Sequence, residues 1–183
     1  GKKPITAYSD GVMASAAYWI GAAADKVLIA NDTTTVGSIG VVSTHVDETK
    51  ALEEMGLKVT QFIAGKYKNI GSSVRPLTEE DAAYIQDRVD YLYSAFVDSV
   101  AKYRGTSAET VLSDMADGRI FTGKQAIKAG LVDGVSTLDA LIGSGVSNNN
   151  IKIQTKEDNT MALTIEQVKA DAALYASICA EVE

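Results

Sequence analysis

Pro4-Ile5-Thr6-Ala7-Tyr8, then Ser9-Asp10-Gly11, then an alanine-rich run over 13–24, then Lys26-Val27-Leu28-Ile29-Ala30: these residues decide the fold. The first five read as a short buried strand and the next three as a turn. The run over 13–24 reads as a buried helix packed through small side chains. Residues 26–30 read as a second strand, closed by Asn31-Asp32.

Working outward, Gly37-Ser38-Ile39-Gly40-Val41-Val42 reads as a glycine-punctuated turn running into a third extended segment. A short helix over 47–55 is stopped by Gly56. Residues 57–64, with β-branched Val59, Thr60 and Ile63, read as another strand. The segment 65–77, with Gly65, Gly71, two serines and Pro76, is a loop. The clearest helix follows. Thr78 caps it and Asp81 completes a capping box. Ile85, Val89, Leu92, Phe96, Val100 and Tyr103 share one face, and Gly105 ends it. One shorter helix runs from Ser107 to near Gly118. Another opens on a Thr122–Gln125 capping box and closes at Gly130. A strand over 131–133 and a last helical turn from Ser136 and Asp139 complete the pattern.

Strands alternating with helices imply an α/β layered fold with a mostly parallel sheet and flanking helices. The composition changes at Gly143. The expected organisation is a domain over 1–143, a polar linker over 144–160 and a helical, scaffold-like tail over 161–183.

Of the 183 residues, 46% are hydrophobic and 22% charged, so wholesale disorder is excluded. Lys and Arg number 17 against 24 Asp and Glu, a net charge of −7. No basic footprint for nucleic acid or for an anionic membrane surface exists. The single cysteine, Cys179, excludes an internal disulfide and a multi-thiolate zinc site. The single histidine, His45, excludes any site that needs two. The apolar run over 13–24 falls short of the roughly 20 residues of a spanning helix. Lys2-Lys3 ahead of it imitates a secretory leader, but Pro4, Ser9, Asp10 and Gly11 interrupt the apolar core that a leader needs. Gly1 is not a natural start, and the chain reads as an N-terminally incomplete domain.

No G-x-S-x-G elbow, P-loop or complete G-x-G-x-x-G occurs. A Ser-His-Asp triad would have to use His45, at an expected helix start. Three local signals remain. Ser15 follows a strand and turn at an expected helix start, where unpaired N–H groups and the helix dipole favour an attacking hydroxyl. The plainer reading is a capping serine among alanines. Gly37-Ser38-Ile39-Gly40 could line a site or simply turn into a strand. The loop Gly65-Lys66-Tyr67-Lys68-Asn69 offers two lysines, which act as bases only when deprotonated and are otherwise solvated surface groups.

Taken together these segments resemble the signal peptide peptidase A family of serine peptidases. The resemblance rests on Lys3-Pro4-Ile5-Thr6-Ala7, Ala14-Ser15-Ala16-Ala17-Tyr18-Trp19-Ile20, Ala23-Ala24-Asp25-Lys26-Val27 and Gly37-Ser38-Ile39-Gly40-Val41. Asp117-Gly118-Arg119-Ile120-Phe121-Thr122-Gly123 and Ala126-Ile127-Lys128-Ala129-Gly130-Leu131-Val132-Asp133 extend it, so that it covers about residues 2–142. The resemblance implies Ser15 as nucleophile, Lys68 as general base, with Lys66 a nearby competitor, and Ser38 as the hydroxyl that orients the lysine. It implies a Clp protease and crotonase-like layered fold, assembly into homo-oligomeric rings or domes, unstructured protein or peptide as substrate, and neither cofactor nor metal.

The family usually has Ser-Gly-Gly-Tyr at the nucleophile, whereas this chain has Ser15-Ala16-Ala17-Tyr18. With Gly40-Val41-Val42-Ser43-Thr44-His45-Val46-Asp47, this is more similar to the tailed-phage branch of capsid-assembly (prohead) proteases. That branch implies capsid or scaffold proteins as partners and action in the host cytoplasm and procapsid. A bacterial signal peptide peptidase, membrane-associated through an upstream segment, is the alternative. The family's upstream Gly-Gly element, which supplies an oxyanion donor, has no counterpart in this sequence. Two other classes stand beside the peptidase: a crotonase-like acyl-thioester enzyme and an inactive assembly or scaffold module.

Overall fold

The computed structural model describes residues 3–144; the linker expected over 144–160 and the tail over 161–183 lie outside the described residues, apart from residue 144 itself. The opening stretch forms β1 (Thr6–Ser9), β2 (Val12–Ala14), α1 (Ala16–Ala22) and β3 (Lys26–Ile29). The helix expected over 13–24 is therefore shorter. Met13 and Ala14 belong to a strand, because Ser15 takes φ 54 and ψ −128, a turn that separates strand from helix. The small residues of α1 do allow close packing. A Cβ on Gly21 would fall 2.5 Å from the Met13 sulfur, so α1 lies directly on β2.

Next come β4 (Thr35–Gly37), α2 (Thr49–Glu54), α3 (Glu79–Arg104), α4 (Ala108–Asp114), β5 (Ile120–Thr122), α5 (Gly123–Lys128), β6 (Gly134–Val135) and α6 (Leu138–Ser144). Two three-stranded sheets result, in the orders β1-β3-β6 and β2-β4-β5. Three of their four pairings are parallel, and β4 with β5 is antiparallel. The molecule is thus a mixed α/β structure with helices flanking mainly parallel strands. The core between sheets and helices holds Tyr18, Val27, Ile29, Val36, Phe96, Val100 and Leu131.

α3 matches its sequence signals closely. Thr78 accepts from the Asp81 N–H while Asp81 accepts from the Thr78 N–H, and Gly105 ends the helix at φ 64. Its C-terminal half buries Phe96, Val97, Val100 and Ala101. Ile85, Val89 and Leu92, on the same expected face, stay partly open, because nothing among the described residues covers them fully.

Four expectations are corrected. Residues 57–64 form no strand: they join no sheet among the described residues, and all eight are exposed. β-branched content supplies propensity, but a strand also needs a neighbour to bond. The third extended segment does not continue through 42 as a strand, because Gly37 (φ 98) and Ser38 (φ 51) turn the chain out of the ladder. Leu131 remains in the closing turn of α5, its N–H donating to the Ala126 carbonyl at 2.9 Å, so the strand begins later, at Gly134. Thr122 makes no capping bond to backbone; it is the last residue of β5, a strand not expected from the sequence.

Candidate active site

The parallel register of β2 and β4 runs Val12 with Thr35, Met13 with Val36 and Ala14 with Gly37. One residue further along each chain stand Ser15 and Ser38. Among the described residues other than glycine, these two alone have positive φ, 54 and 51. The Ser15 N–H donates to the Gly37 carbonyl at 2.8 Å, and the Ser38 N–H donates to the Arg119 carbonyl at 2.8 Å. Neighbouring strands thus set the two serines side by side, each in a backbone conformation that costs about 1–3 kcal/mol and persists only where surrounding contacts enforce it.

At Gly37 the enforcement is visible. A Cβ there would lie 3.0 Å from the Phe121 ring and 3.3 Å from the Arg119 carbonyl. Beyond Ser38, Gly40 passes close to Gly118, where a Cβ on the first would meet the Cα of the second at 3.4 Å.

Both serines line a cleft of about 730 Å³. Trp19 and Phe96, stacked with ring centroids 4.5 Å apart, form part of its wall, with Ile39, Val89, Leu92 and Tyr93. Asp90 and Asp117 bring carboxylates to the same cleft. Asp90 accepts from Gln86 at 2.7 Å, and Asp117 pairs with Arg119 at 2.7 Å. Those Arg119 hydrogen bonds hold the Asp117 pKa below the ordinary aspartate value.

Ser15 is exposed, as are Ala16 and Ala17. Neither serine hydroxyl makes a hydrogen bond among the described residues, and Ser15 makes no side-chain cap to α1. The plain capping role is therefore not what Ser15 does here. The N–H groups of Ala16 and Ala17, at the start of α1, have no backbone acceptor among the described residues. An exposed hydroxyl beside unpaired N–H groups can attack a carbonyl and let the resulting oxyanion be bonded as it forms.

Behind the elbow, α1 is tied down. The buried Tyr18 hydroxyl donates to the Leu131 carbonyl at 2.8 Å. Burial drives its pKa far above the ordinary tyrosine value, so it remains a neutral donor. The 130–133 segment is fixed in turn. Arg104 donates through Nε to the Gly130 carbonyl at 2.8 Å and bonds Asp133 Oδ1 through Nη2 at 2.5 Å. Asp133 Oδ2 also accepts from the Val27 N–H at 2.7 Å. Partial burial alone would raise the Asp133 pKa, but these bonds outweigh it and the pKa is lowered. The closing Gly130-Leu131-Val132-Asp133 motif thus anchors α1, the helix that Ser15 precedes.

The two lysines differ. Lys66 pairs with Glu80 at 2.7 Å, and that hydrogen bond raises its pKa, which keeps it protonated. Lys68 lies in the turn over 66–70, exposed, with its N–H donating to the Gly65 carbonyl at 3.1 Å. Its ammonium has no partner among the described residues and does not line the Ser15 cleft. The structure brings Ser15 and Ser38 together; it does not bring Lys68 to them.

His45 sits elsewhere. Its Nε2 donates to the Ser72 carbonyl at 3.0 Å, and its ring lines a second cleft of about 410 Å³ with Tyr84, Ile85 and Arg88. No Ser15–His45 triad forms. Among the described residues no group of three or more His, Cys, Asp or Glu is placed to hold a metal, and no helix is long and apolar enough to cross a membrane. Trp19 and Tyr18 were not singled out as functional from the sequence, although their spacing of four and three residues from Ser15 carried the signal.

The sequence pattern of peptidase family S49 matches residues 1–152. A putative protease of Methanocaldococcus jannaschii is 42% identical over 136 residues, covering 74% of this chain and 43% of that protein. The putative signal peptide peptidase SppA of Enterococcus faecium is 33% identical over 174 residues, covering 95% of this chain and 47% of the relative. Capsid assembly protease C of Escherichia phage lambda is 31% identical over 140 residues, covering 76% and 31%. The chain spans less than half the length of these relatives.

Proposed function

The chain belongs to peptidase family S49, and on that premise we propose that it is the part of a serine endopeptidase that carries a Ser-Lys dyad. Ser15 is the nucleophile, Lys68 the general base and Ser38 the hydroxyl that orients the lysine. The observation that carries this reading is the strained pair Ser15 and Ser38 at the wall of one cleft, beside unpaired N–H groups.

In the reaction, neutral Lys68 takes the Ser15 proton as Oγ attacks a peptide carbonyl. The Ala16 N–H bonds the developing oxyanion. The amine leaves with a proton from Lys68, and water, deprotonated by Lys68, hydrolyses the acyl-enzyme. The apolar wall of Trp19, Phe96, Val89 and Leu92 favours an apolar side chain next to the scissile bond.

Lys68 stands outside the Ser15 cleft, and Leu57, Val59, Phe62 and Ile63 are exposed on the unpaired segment before it. This supports a homo-oligomeric ring or dome in which the lysine reaches the serine of a neighbouring copy. The mainly parallel strands with flanking helices are in keeping with the proposed Clp protease and crotonase-like layered fold.

The substrates proposed are unstructured protein segments. Ser15-Ala16-Ala17-Tyr18 favours capsid maturation, with capsid or scaffold proteins as partners. Cleavage of signal peptides is the second reading, favoured by the SppA relative that aligns over 95% of the chain. The test is hydrolysis of a fluorogenic unfolded protein at about pH 8.5, wild type beside Ser15→Ala. Loss in the variant supports the nucleophile; equal rates overturn it.

A further inference from the structure

The turn that carries Lys68 is held from one side by the start of α3. Lys66, two residues before, pairs with Glu80 at 2.7 Å. Tyr67 stacks on Tyr84 with centroids 5.2 Å apart. Asn69, the residue after Lys68, gives its carbonyl to Arg75 Nη2 at 3.0 Å, while Arg75 Nη1 bonds Asp81 Oδ2 at 2.6 Å. These contacts are unequal. The Lys66–Glu80 pair is open to solvent on both sides and contributes little. The Asp81 carboxylate is buried, with only 9% of its side chain exposed, and its position is fixed by the capping box with Thr78.

We propose that Arg75 is a positioning residue for Lys68: its guanidinium bridges the Asn69 carbonyl to the Asp81 carboxylate and sets where the base-bearing turn stands on α3. The inference rests on the assignment of Lys68 as general base. The planar fork of arginine addresses two acceptors in fixed directions, which a lysine at the same place cannot do. The Lys68 side chain makes no hydrogen bond or ion pair among the described residues, so its direction depends on the backbone beside it. A small displacement of such a base lowers turnover by about 10- to 100-fold. The Arg75 hydrogen bond holds the Asp81 pKa well below the ordinary aspartate value, so the bridge persists at neutral and alkaline pH.

The experiment measures kcat, KM and the pH–rate profile of the full-length protein on the fluorogenic substrate. The variants are Arg75→Lys, Arg75→Ala and Lys68→Ala, with thermal stability recorded for each. The expected result is a fall in kcat of about 10- to 100-fold in both Arg75 variants at unchanged KM, with partial recovery of Arg75→Ala by added guanidinium. Arg75→Lys is the milder change for the fold, because it keeps a cation beside Asp81. Unchanged kcat in both Arg75 variants, with Lys68→Ala inactive, overturns the positioning role and leaves the base assignment standing. A fall in kcat that only parallels lost stability, with no guanidinium recovery, also overturns it. An active Lys68→Ala overturns the base assignment instead.

Discussion

Ser15 hangs on Gly37: its N–H donates to the Gly37 carbonyl at 2.8 Å, one step past the last paired residues of β2 and β4. The bond holds Ser15 at φ 54 and ψ −128, where a side chain is strained and a glycine is not. Ser15→Gly is therefore expected to raise stability by about 1 kcal/mol while abolishing hydrolysis. Thermal unfolding of wild type and variant, with the activity assay alongside, checks both halves. A less stable glycine variant would mean that the strain is absent.

Ser38 directly follows the neighbouring strand β4, at φ 51 and with an unbonded hydroxyl. Ser38→Ala removes the hydroxyl proposed to orient the base, and turnover is expected to drop by about 100-fold. KM is expected to stay within about twofold, since binding of substrate and transition state would not fall equally. Steady-state kinetics at fixed pH decides it; an unchanged kcat removes Ser38 from the mechanism.

The two lysines give a clean contrast. Lys66→Ala loses a solvent-exposed pair with Glu80 and is expected to leave stability nearly unchanged and to retain most activity. Lys68→Ala is expected to be inactive. In wild type the rate is expected to rise with pH if a lysine is the base. A profile that is flat from about pH 6 to 9 and fully active at its acid end speaks against a lysine base.

Much of this was legible in advance, and the exceptions have a common cause. α3 announced both its ends, because Thr78, Asp81 and Gly105 act on backbone within a few residues of themselves. Ser15, Ser38 and Lys68 were selected by motif, and for the two serines the structure supplies a shared cleft and a shared backbone strain. The strand expected over 57–64 failed because pairing requires a partner that local composition does not encode. β5 was missed because its three residues, Ile120–Thr122, are set by β4 alone. Arg75 and Tyr18 were invisible as working residues because their partners lie on other elements.

Acid tests the bridge on α3. The Arg75 hydrogen bond lowers the Asp81 pKa from 3.8 to about 2. A carboxylate lowered on folding stabilises the fold above its unfolded value; the contribution is lost as pH falls from about 4 through 2. Unfolding followed by near-UV circular dichroism over that range is expected to begin at higher pH in Arg75→Ala than in wild type. Coincident curves would deny the pair any part in stability.

Arg104→Ala strands the Asp133 carboxylate, which keeps only the Val27 N–H among its present bonds. Destabilisation of about 2 kcal/mol is expected, measurable by urea unfolding. A change below about 0.5 kcal/mol would show that solvent replaces the guanidinium.

The anchor of α1 has a consequence for synthesis. Tyr18 reaches the Leu131 carbonyl across 113 positions of sequence, whereas Arg75 meets Asp81 within one loop and one helical turn. During translation the turn that carries Lys68 can settle on α3 soon after that helix emerges, but α1 gains its tether only when Leu131 has left the ribosome. A nascent chain that stops short of that point carries its serine without the fastening that holds it ready. The chemistry proposed for Ser15 therefore waits on a residue made 113 positions after Tyr18.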